Sequence, residues 1–124
     1  MTGEAPAVAY KDLLQSAYDA FNERDLDFLL LLMHPDVDWA NGMEGGRIRG
    51  HEGVREYWTR QWDVIDPIVK PQRFETLPDG KILVHVHQLV RDLDGKVILD
   101  QTVQHIYHLD GPQIISMEIR QPAG

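Results

Sequence analysis

At Pro67 the hydrophobic repeat of this 124-residue chain changes from one period to another, and Asp-Gly pairs then recur at Asp79-Gly80, Asp94-Gly95 and Asp110-Gly111. A helix repeats every 3.6 residues or so and a strand every 2, so the change divides the chain into a helical first part and a stranded second part. Asp-Gly supplies the positive-φ residues that tight strand reversals need. The three pairs therefore predict a meander of four strands at residues 68–77, 81–92, 96–109 and 113–120. Upstream, Tyr10, Leu13, Leu14, Ala17, Tyr18 and Phe21 lie at i, i+3, i+4, i+7, i+8 and i+11, one buried helical stripe. Asp25 is placed to cap a second helix over residues 26–33, apolar nearly all round and so expected to be buried, with Pro35 stopping it. A third helix after Gly50 carries Val54, Tyr57, Trp58, Trp62 and Ile65 on one face, and Asp66-Pro67 ends it. A short strand at residues 36–41 and a flexible loop at 42–50 come between the second and third helices. This order predicts an α+β domain, helices packed on one face of a curved sheet, that spans residues 1–124 with the first seven flexible.

Composition narrows the partners. The net charge is -8, from 20 acidic and 12 basic side chains, and the basic ones are scattered singly. Nucleic acid and anionic membrane surfaces need a clustered positive field, so neither is expected as a partner. The absence of cysteine excludes disulfides and thiol chemistry. The longest apolar run, residues 28–33, is far too short to span a bilayer. The start, MTGEAPAVAYKDLL, has no basic stretch followed by an apolar one. A cytoplasmic protein is expected.

The side-chain period of a strand decides which residues reach the interior. In the second meander strand Ile82, Val84, Val86, Gln88 and Val90 form the better core face, opposite Leu83, His85, His87, Leu89 and Arg91. In the third, Val97, Leu99, Gln101, Val103, His105, Tyr107 and Leu109 are inward by the same rule. Ile115, Met117 and Ile119 are inward in the fourth, and Val37, Trp39 and Asn41 in the isolated strand. The interior is thus apolar and aromatic, with Asn41, Gln88, Gln101, His105 and the Tyr107 hydroxyl as polar intruders. Such a cluster is either a self-satisfied network or the polar end of a ligand pocket.

Several strings, in order, resemble the nuclear transport factor 2-like superfamily and its SnoaL-like group, which includes polyketide cyclases and ketosteroid isomerase. They are Phe21-Asn22, Arg24-Asp25-Leu26-Asp27, His34-Pro35-Asp36-Val37 leading into the first strand, Gly50-His51-Glu52-Gly53-Val54-Arg55-Glu56-Tyr57-Trp58 opening the third helix, and the final Asp110-Gly111 hairpin. The resemblance implies a cone-shaped fold whose mostly antiparallel sheet curls around a deep pocket, commonly as a homodimer formed across the sheet. It does not transmit an activity, because this fold hosts isomerases, cyclases, dehydratases, epoxide hydrolases and inert binding modules. Ketosteroid isomerase uses an aspartate base with a tyrosine and a protonated aspartate as oxyanion hole. The position similar to its base falls on Asn41, its tyrosine on Ala17 beside Tyr18, and its second acid on His105 or, with a turn one residue shorter, on Gln104. That isomerase chemistry is not supported. Neither is limonene epoxide hydrolase chemistry, whose Arg-x-Asp strand pair is missing.

Among the candidates His105 is the one titratable side chain on the inner face of the third meander strand, a general acid or base if it lines a pocket, otherwise a core histidine bonded to Gln88 or Tyr107. Asn41 is placed either to orient a carbonyl or an attacking water, or to tie down the following loop. Tyr18, Trp39, Trp58, Trp62, Gln88, Gln101, Tyr107 and Met117 are the expected substrate-binding residues, and the three tryptophans favour an aromatic or polycyclic ligand. Arg47 and Arg49 are either surface or a contact for an anionic substituent. His85 and His87, at i and i+2, have the spacing of a metal pair but no convergent third ligand, so no metal is expected. A strand-phase error would exchange these two for His105 in the pocket. The chain reads as a small-molecule-binding protein, an isomerase, cyclase or dehydratase without cofactor acting on a hydrophobic cyclic substrate. The alternative is a non-catalytic ligand-binding or dimeric scaffold module. A homodimer is expected from the partly apolar outer face bearing Leu83, Leu89, Ile98 and Ile106.

Overall fold

The helical stripe and the meander both form, and the departures from expectation lie at the joints between them. The structure is a computed structural model that describes residues 7–43 and 45–121. Of the start expected to be flexible, only Ala7 falls among these. The elements in order are α1 (Ala7–Asn22), α2 (Leu26–Leu31), β1 (Met33–Ala40), β2 (Arg47–Arg49), α3 (Gly50–Trp62), β3 (Ile65–Thr76), β4 (Ile82–Asp92), β5 (Val97–Asp110) and β6 (Gln113–Arg120). The six strands make one sheet in the order β2-β1-β6-β5-β4-β3, antiparallel throughout except for the β1–β6 pair. α1 lies against β3 and α3 against β1, so the helices cover one face. This is the α+β fold expected, with helices packed on one face of a mostly antiparallel sheet.

α2 is shorter and less buried than its composition suggests. Asp25 caps it by accepting from the Phe28 N–H at 3.2 Å. It stops at Leu31 because the next residues join the sheet: the Leu32 carbonyl accepts from Ile114 N at 2.8 Å, and Met33 opens β1 against Ile114. Six residues present only one face to the core, here Leu26, Leu29 and Leu30, which leaves Phe28 41% and Leu31 73% exposed. Pro35 therefore lies inside β1 and does not end a helix. The loop expected over residues 42–50 contains β2, which pairs Trp39 with Ile48 and Ala40 with Arg47.

Pro67 and Pro71 likewise sit inside β3, which begins at Ile65 and not after the proline. A proline is tolerated in a strand when its missing N–H points away from the ladder, and β3 is an edge strand. Val69, on the same alternation as the two prolines, shows what meets that edge: the Asn22 amide donates to its carbonyl at 2.7 Å and accepts from its N–H at 2.9 Å. Arg24 extends the clasp, donating to the Pro67 carbonyl at 2.9 Å and pairing with Asp66. It does so from a left-handed backbone, φ 63, at the end of α1. Side chains from the helix terminus thus complete the polar edge of the sheet.

The inner face of β4, and that of β5 from Leu99 onward, are those expected; Val97, expected inward, is 47% exposed, because a register shift after Val90 pairs it with Arg91 of the outer face. Val84, Val86, Val90, Val103, His105 and Tyr107 are buried, and the opposite face carries His85 and His87. β6 departs by one residue. Leu109 pairs with Ile114 while the preceding His108 pairs with Ser116, so Ile115 is the extra residue of a bulge. Ile114, fully buried, replaces Ile115 as the core residue, whereas Met117 keeps its expected face beyond the bulge.

Candidate functional site

Strand register builds the polar end of the interior. Trp39 of β1, Met117 of β6, Tyr107 of β5 and Ile82 of β4 are successive cross-strand partners in one row. Ile119, His105 and Val84 form the next row. Gln101 and Gln88 are partners further along, where the Gln101 amide donates to Gln88 Oε1 at 3.1 Å. The stripe of α1 lowers Tyr18 onto the first two rows. Its hydroxyl lies 2.8 Å from His105 Nδ1 and accepts from the Tyr107 hydroxyl at 2.8 Å. The Tyr18 and His105 rings are stacked, with an interplanar angle of 11°.

This three-member chain fixes the imidazole. With Tyr107 donating to Tyr18, the Tyr18 proton is directed at Nδ1, which makes Nδ1 the acceptor and places the ring proton on Nε2. Nε2 has no hydrogen-bond partner among the described residues. Burial pushes the His105 pKa down to about 4, so the ring is neutral at physiological pH. Burial, and then the neighbouring Tyr107, raises the Tyr18 phenol well above its ordinary value, and burial raises Tyr107 as well. The chain is a set of neutral hydrogen-bonding groups.

These residues bound a cavity of about 60 Å³. Of the side chains expected at the site, Tyr18, Trp39, Trp58, Gln88, His105, Tyr107 and Met117 line it. Three do not. The Asn41 backbone ties down the loop, accepting from Gly45 N at 2.9 Å and donating to Gly46 O at 3.0 Å. Trp62 packs on Phe21 and Trp58 with the Arg24 guanidinium over its ring, and Gln101 stands behind Gln88. Tyr57, Gly42, Met43, Pro67 and Ile119 line the cavity without having been singled out. Tyr57 shares the α3 stripe with Trp58, so its signal was present. Gly42 and Met43 follow β1 in a loop that carries no periodicity. The Tyr57 hydroxyl holds this wall by accepting from Met43 N at 3.1 Å.

Two features of the wall determine its chemistry. No Asp, Glu, Lys or Arg lines the cavity among the described residues. And the indole N–H groups of Trp39 and Trp58 are buried without a hydrogen-bond partner among the described residues, each a cost of about 1–3 kcal/mol unless something accepts from it. Trp62 has the same unpartnered donor away from the cavity.

The other sheet face holds the remaining histidines in pairs. His87 lies 2.6 Å from Asp100, and His85 binds Glu75, whose carboxyl Arg73 and then His85 hold below the usual range. Leu83 is buried within the chain, at 5% exposure, while Ile98 is 51% exposed. Among the described residues no three His, Asp or Glu side chains are grouped to hold a metal. Arg47 is engaged by Asp38 and the Met117 carbonyl, and Arg49 lies 3.8 Å from Asp38. No described helix is long and apolar enough to cross a membrane.

A six-stranded mixed sheet curled over three helices, with a small aromatic cavity between them, defines a pocket-bearing protein of the nuclear transport factor 2-like class. The sequence profile described as the SnoaL-like domain matches residues 14–117, and the chain belongs to that family. No curated protein matches it. Among solved structures it is similar to TerC, co-crystallised with polyporic acid, at 25% identity and a TM-score of 0.77 over 90% of this chain and 89% of that one. A nuclear transport factor 2-like protein of Burkholderia pseudomallei K96243 is 23% identical, with a TM-score of 0.77 over the same shares. SalBIII, an epoxide hydrolase/cyclase-like enzyme with a role in pyran ring formation in the polyether salinomycin, is 15% identical with a TM-score of 0.76, again over 90% and 89% of the two chains.

Proposed function

We propose that this SnoaL-like protein binds a hydrophobic cyclic small molecule and carries out isomerisation, cyclisation or dehydration by acid/base chemistry centred on His105, without a cofactor. The observation that carries this reading is the Tyr107–Tyr18–His105 chain inside an otherwise apolar cavity. In the orientation described, Nε2–H is a donor to a substrate oxygen. In the other ring tautomer, reached by exchange with solvent that takes the proton from Nε2 and returns one to Nδ1, the two hydroxyls reverse, Nδ1–H donates to the Tyr18 oxygen and the Nε2 lone pair is left as a base. Nε2 then takes a proton from a substrate carbon or hydroxyl, the imidazolium is held by the Tyr18 oxygen, and the same proton returns to another atom of the substrate. Neither tyrosine ionises, in keeping with their raised pKa values. TerC, with its polyporic acid, supports a cyclic ligand in this fold.

The low pKa of His105 and the absence of a lining carboxylate among the described residues favour a second reading, a non-catalytic binding module. Proton exchange separates the two. In D2O the protein should accelerate loss of the α-proton signals of 1-tetralone, an enolisable ketone, and His105→Gln should abolish this with little change in melting temperature. Exchange at the buffer rate, or exchange untouched by His105→Gln, would leave the binding module. We further propose a homodimer across the sheet face that carries Ile98, Leu89 and Ile106. Sedimentation at micromolar concentration tests it, and a lone 14.2 kDa species rejects it.

A further inference from the structure

We infer that the ligand of this cavity is an uncharged ring compound that presents a carbonyl oxygen to the indole N–H of Trp39, with that of Trp58 as a second donor. This deepens the binding part of the function proposed above and rests on the cavity being a ligand site. Trp39 is 7% exposed, lines the cavity, and carries a buried donor with no partner. An indole nitrogen only donates, so no rotation of the side chain or change of protonation can satisfy it by accepting. Nearly all buried donors in folded proteins find an acceptor, and the ones that do not call for an explanation. None of the described residues accepts from it: Met117 beside Trp39 offers only a thioether, and the Tyr107 hydroxyl beyond it donates to Tyr18 and makes no bond to the indole.

The other free polar groups on the wall agree. Gln88 Oε1 is taken by Gln101, which leaves the amide N–H groups, and His105 presents Nε2–H. A wall of donors selects an acceptor. Charge narrows it further, because among the described residues no acidic side chain lines the cavity to meet a cation and no basic one to meet a carboxylate. What remains is a neutral oxygen, sp² and compact, that enters the cavity beside Trp39 and Trp58, while most of its ring stays at the mouth, since about 60 Å³ does not enclose it.

The test uses three probes of one shape: 1-tetralone, the hydrocarbon tetralin, and 1-aminotetralin, a cation at neutral pH. The chain has three tryptophans, so a 15N–1H spectrum shows three indole N–H signals, assigned by substituting each tryptophan in turn. The inference expects 1-tetralone to bind at least about tenfold more tightly than tetralin, to move the Trp39 indole proton downfield, and to leave Trp62 in place; 1-aminotetralin should not saturate. Trp39→Phe should lose about the same tenfold for 1-tetralone and nothing for tetralin. Should that variant fail to fold, the indole shift in the unaltered protein decides. Equal affinity for ketone and hydrocarbon, an unmoved Trp39 signal, saturable binding of the amine, or no binding of 1-tetralone at millimolar concentration each overturns it. Binding without proton exchange would sink the acid/base reading alone, and exchange without the indole shift would sink this one alone.

Discussion

The phenol oxygen of Tyr18 lies 2.8 Å from Nδ1 of His105, and that contact joins α1 to the centre of the sheet. Its two partners come from opposite ends of the sequence pattern, one from a helical stripe and one from a strand alternation. Neither side chain is placed by the other. Packing of α1 against the sheet brings them together, and the Tyr107 hydroxyl, two residues along β5 from His105, closes the chain.

Burial makes stability pH-dependent. His105 has a folded pKa of about 4 against roughly 6.5 in the unfolded chain. Between those values the unfolded state binds more protons, so stability rises with pH. The contribution is complete above about pH 6.5 and is lost as pH falls to about 4, on the order of 3 kcal/mol in all. Urea midpoints measured from pH 4 to 7 should slope more steeply for the natural protein than for His105→Gln. Parallel slopes would show that His105 is not held neutral by burial.

The hydroxyl chain predicts coupling. Tyr18→Phe leaves His105 Nδ1 and the Tyr107 hydroxyl without partners, and should cost about 1–3 kcal/mol. Tyr107→Phe removes one donor and should cost less. The double variant should be less destabilised than the sum of the two, because the Tyr107 donor is no longer stranded once both hydroxyls are gone. Chemical denaturation of the four proteins gives the coupling term, and strict additivity would mean that the hydroxyls do not interact.

Arg24 combines a left-handed backbone with a clasp on β3, and the two contributions separate by substitution. Arg24→Ala loses the bonds to Pro67 and Asp66 and keeps the strain, for about 1–3 kcal/mol. Arg24→Gly loses the same bonds but relieves φ, and should be the more stable of the two variants by roughly 0.5–1 kcal/mol. Melting curves decide, and alanine equal to glycine would show that the backbone is unstrained.

What could be read from the sequence follows the same line. β4 and β5 were legible with the right phase because Asp-Gly turns bound them and Val84, Val86, Val103, His105 and Tyr107 alternate without interruption. That alternation also placed His105 in the pocket and kept His85 and His87 out of it. β3 was cut short because Pro67 reads as a terminator, and only the sheet order reveals that its missing N–H faces an edge. Asn41 was set inward by extending the alternation of β1 one residue past its end at Ala40, where the chain turns to make the loop bonds with Gly45 and Gly46. Met43 and Gly42 belong to that loop, and no local pattern announces a wall made of turn residues.

The β6 bulge is testable in the same terms. Two adjacent isoleucines sit in one strand, and the extra residue sends Ile114 to the core and leaves Ile115 half-buried. Ile114→Ala should cost about 2–5 kcal/mol, as buried truncations do, and Ile115→Ala clearly less. The reverse ranking would place the bulge elsewhere and return β6 to simple alternation.

Gly42 ties the wall to ligand size. A Cβ built there lies 2.8 Å from Ile119 Cδ1, the far end of a flexible side chain that also lines the cavity. Its backbone is not left-handed, so alanine brings no φ strain. Ile119 must yield by a rotamer change, at a cost of about 0.5–1.5 kcal/mol, and the space both occupy is taken from a cavity of only about 60 Å³. Gly42→Ala should therefore lower the melting temperature by only a few degrees while weakening 1-tetralone binding several-fold, and Gly42→Val should abolish it. Titration calorimetry beside thermal melts separates the two effects. Undiminished affinity in both variants would mean that the ligand does not reach the Gly42 wall.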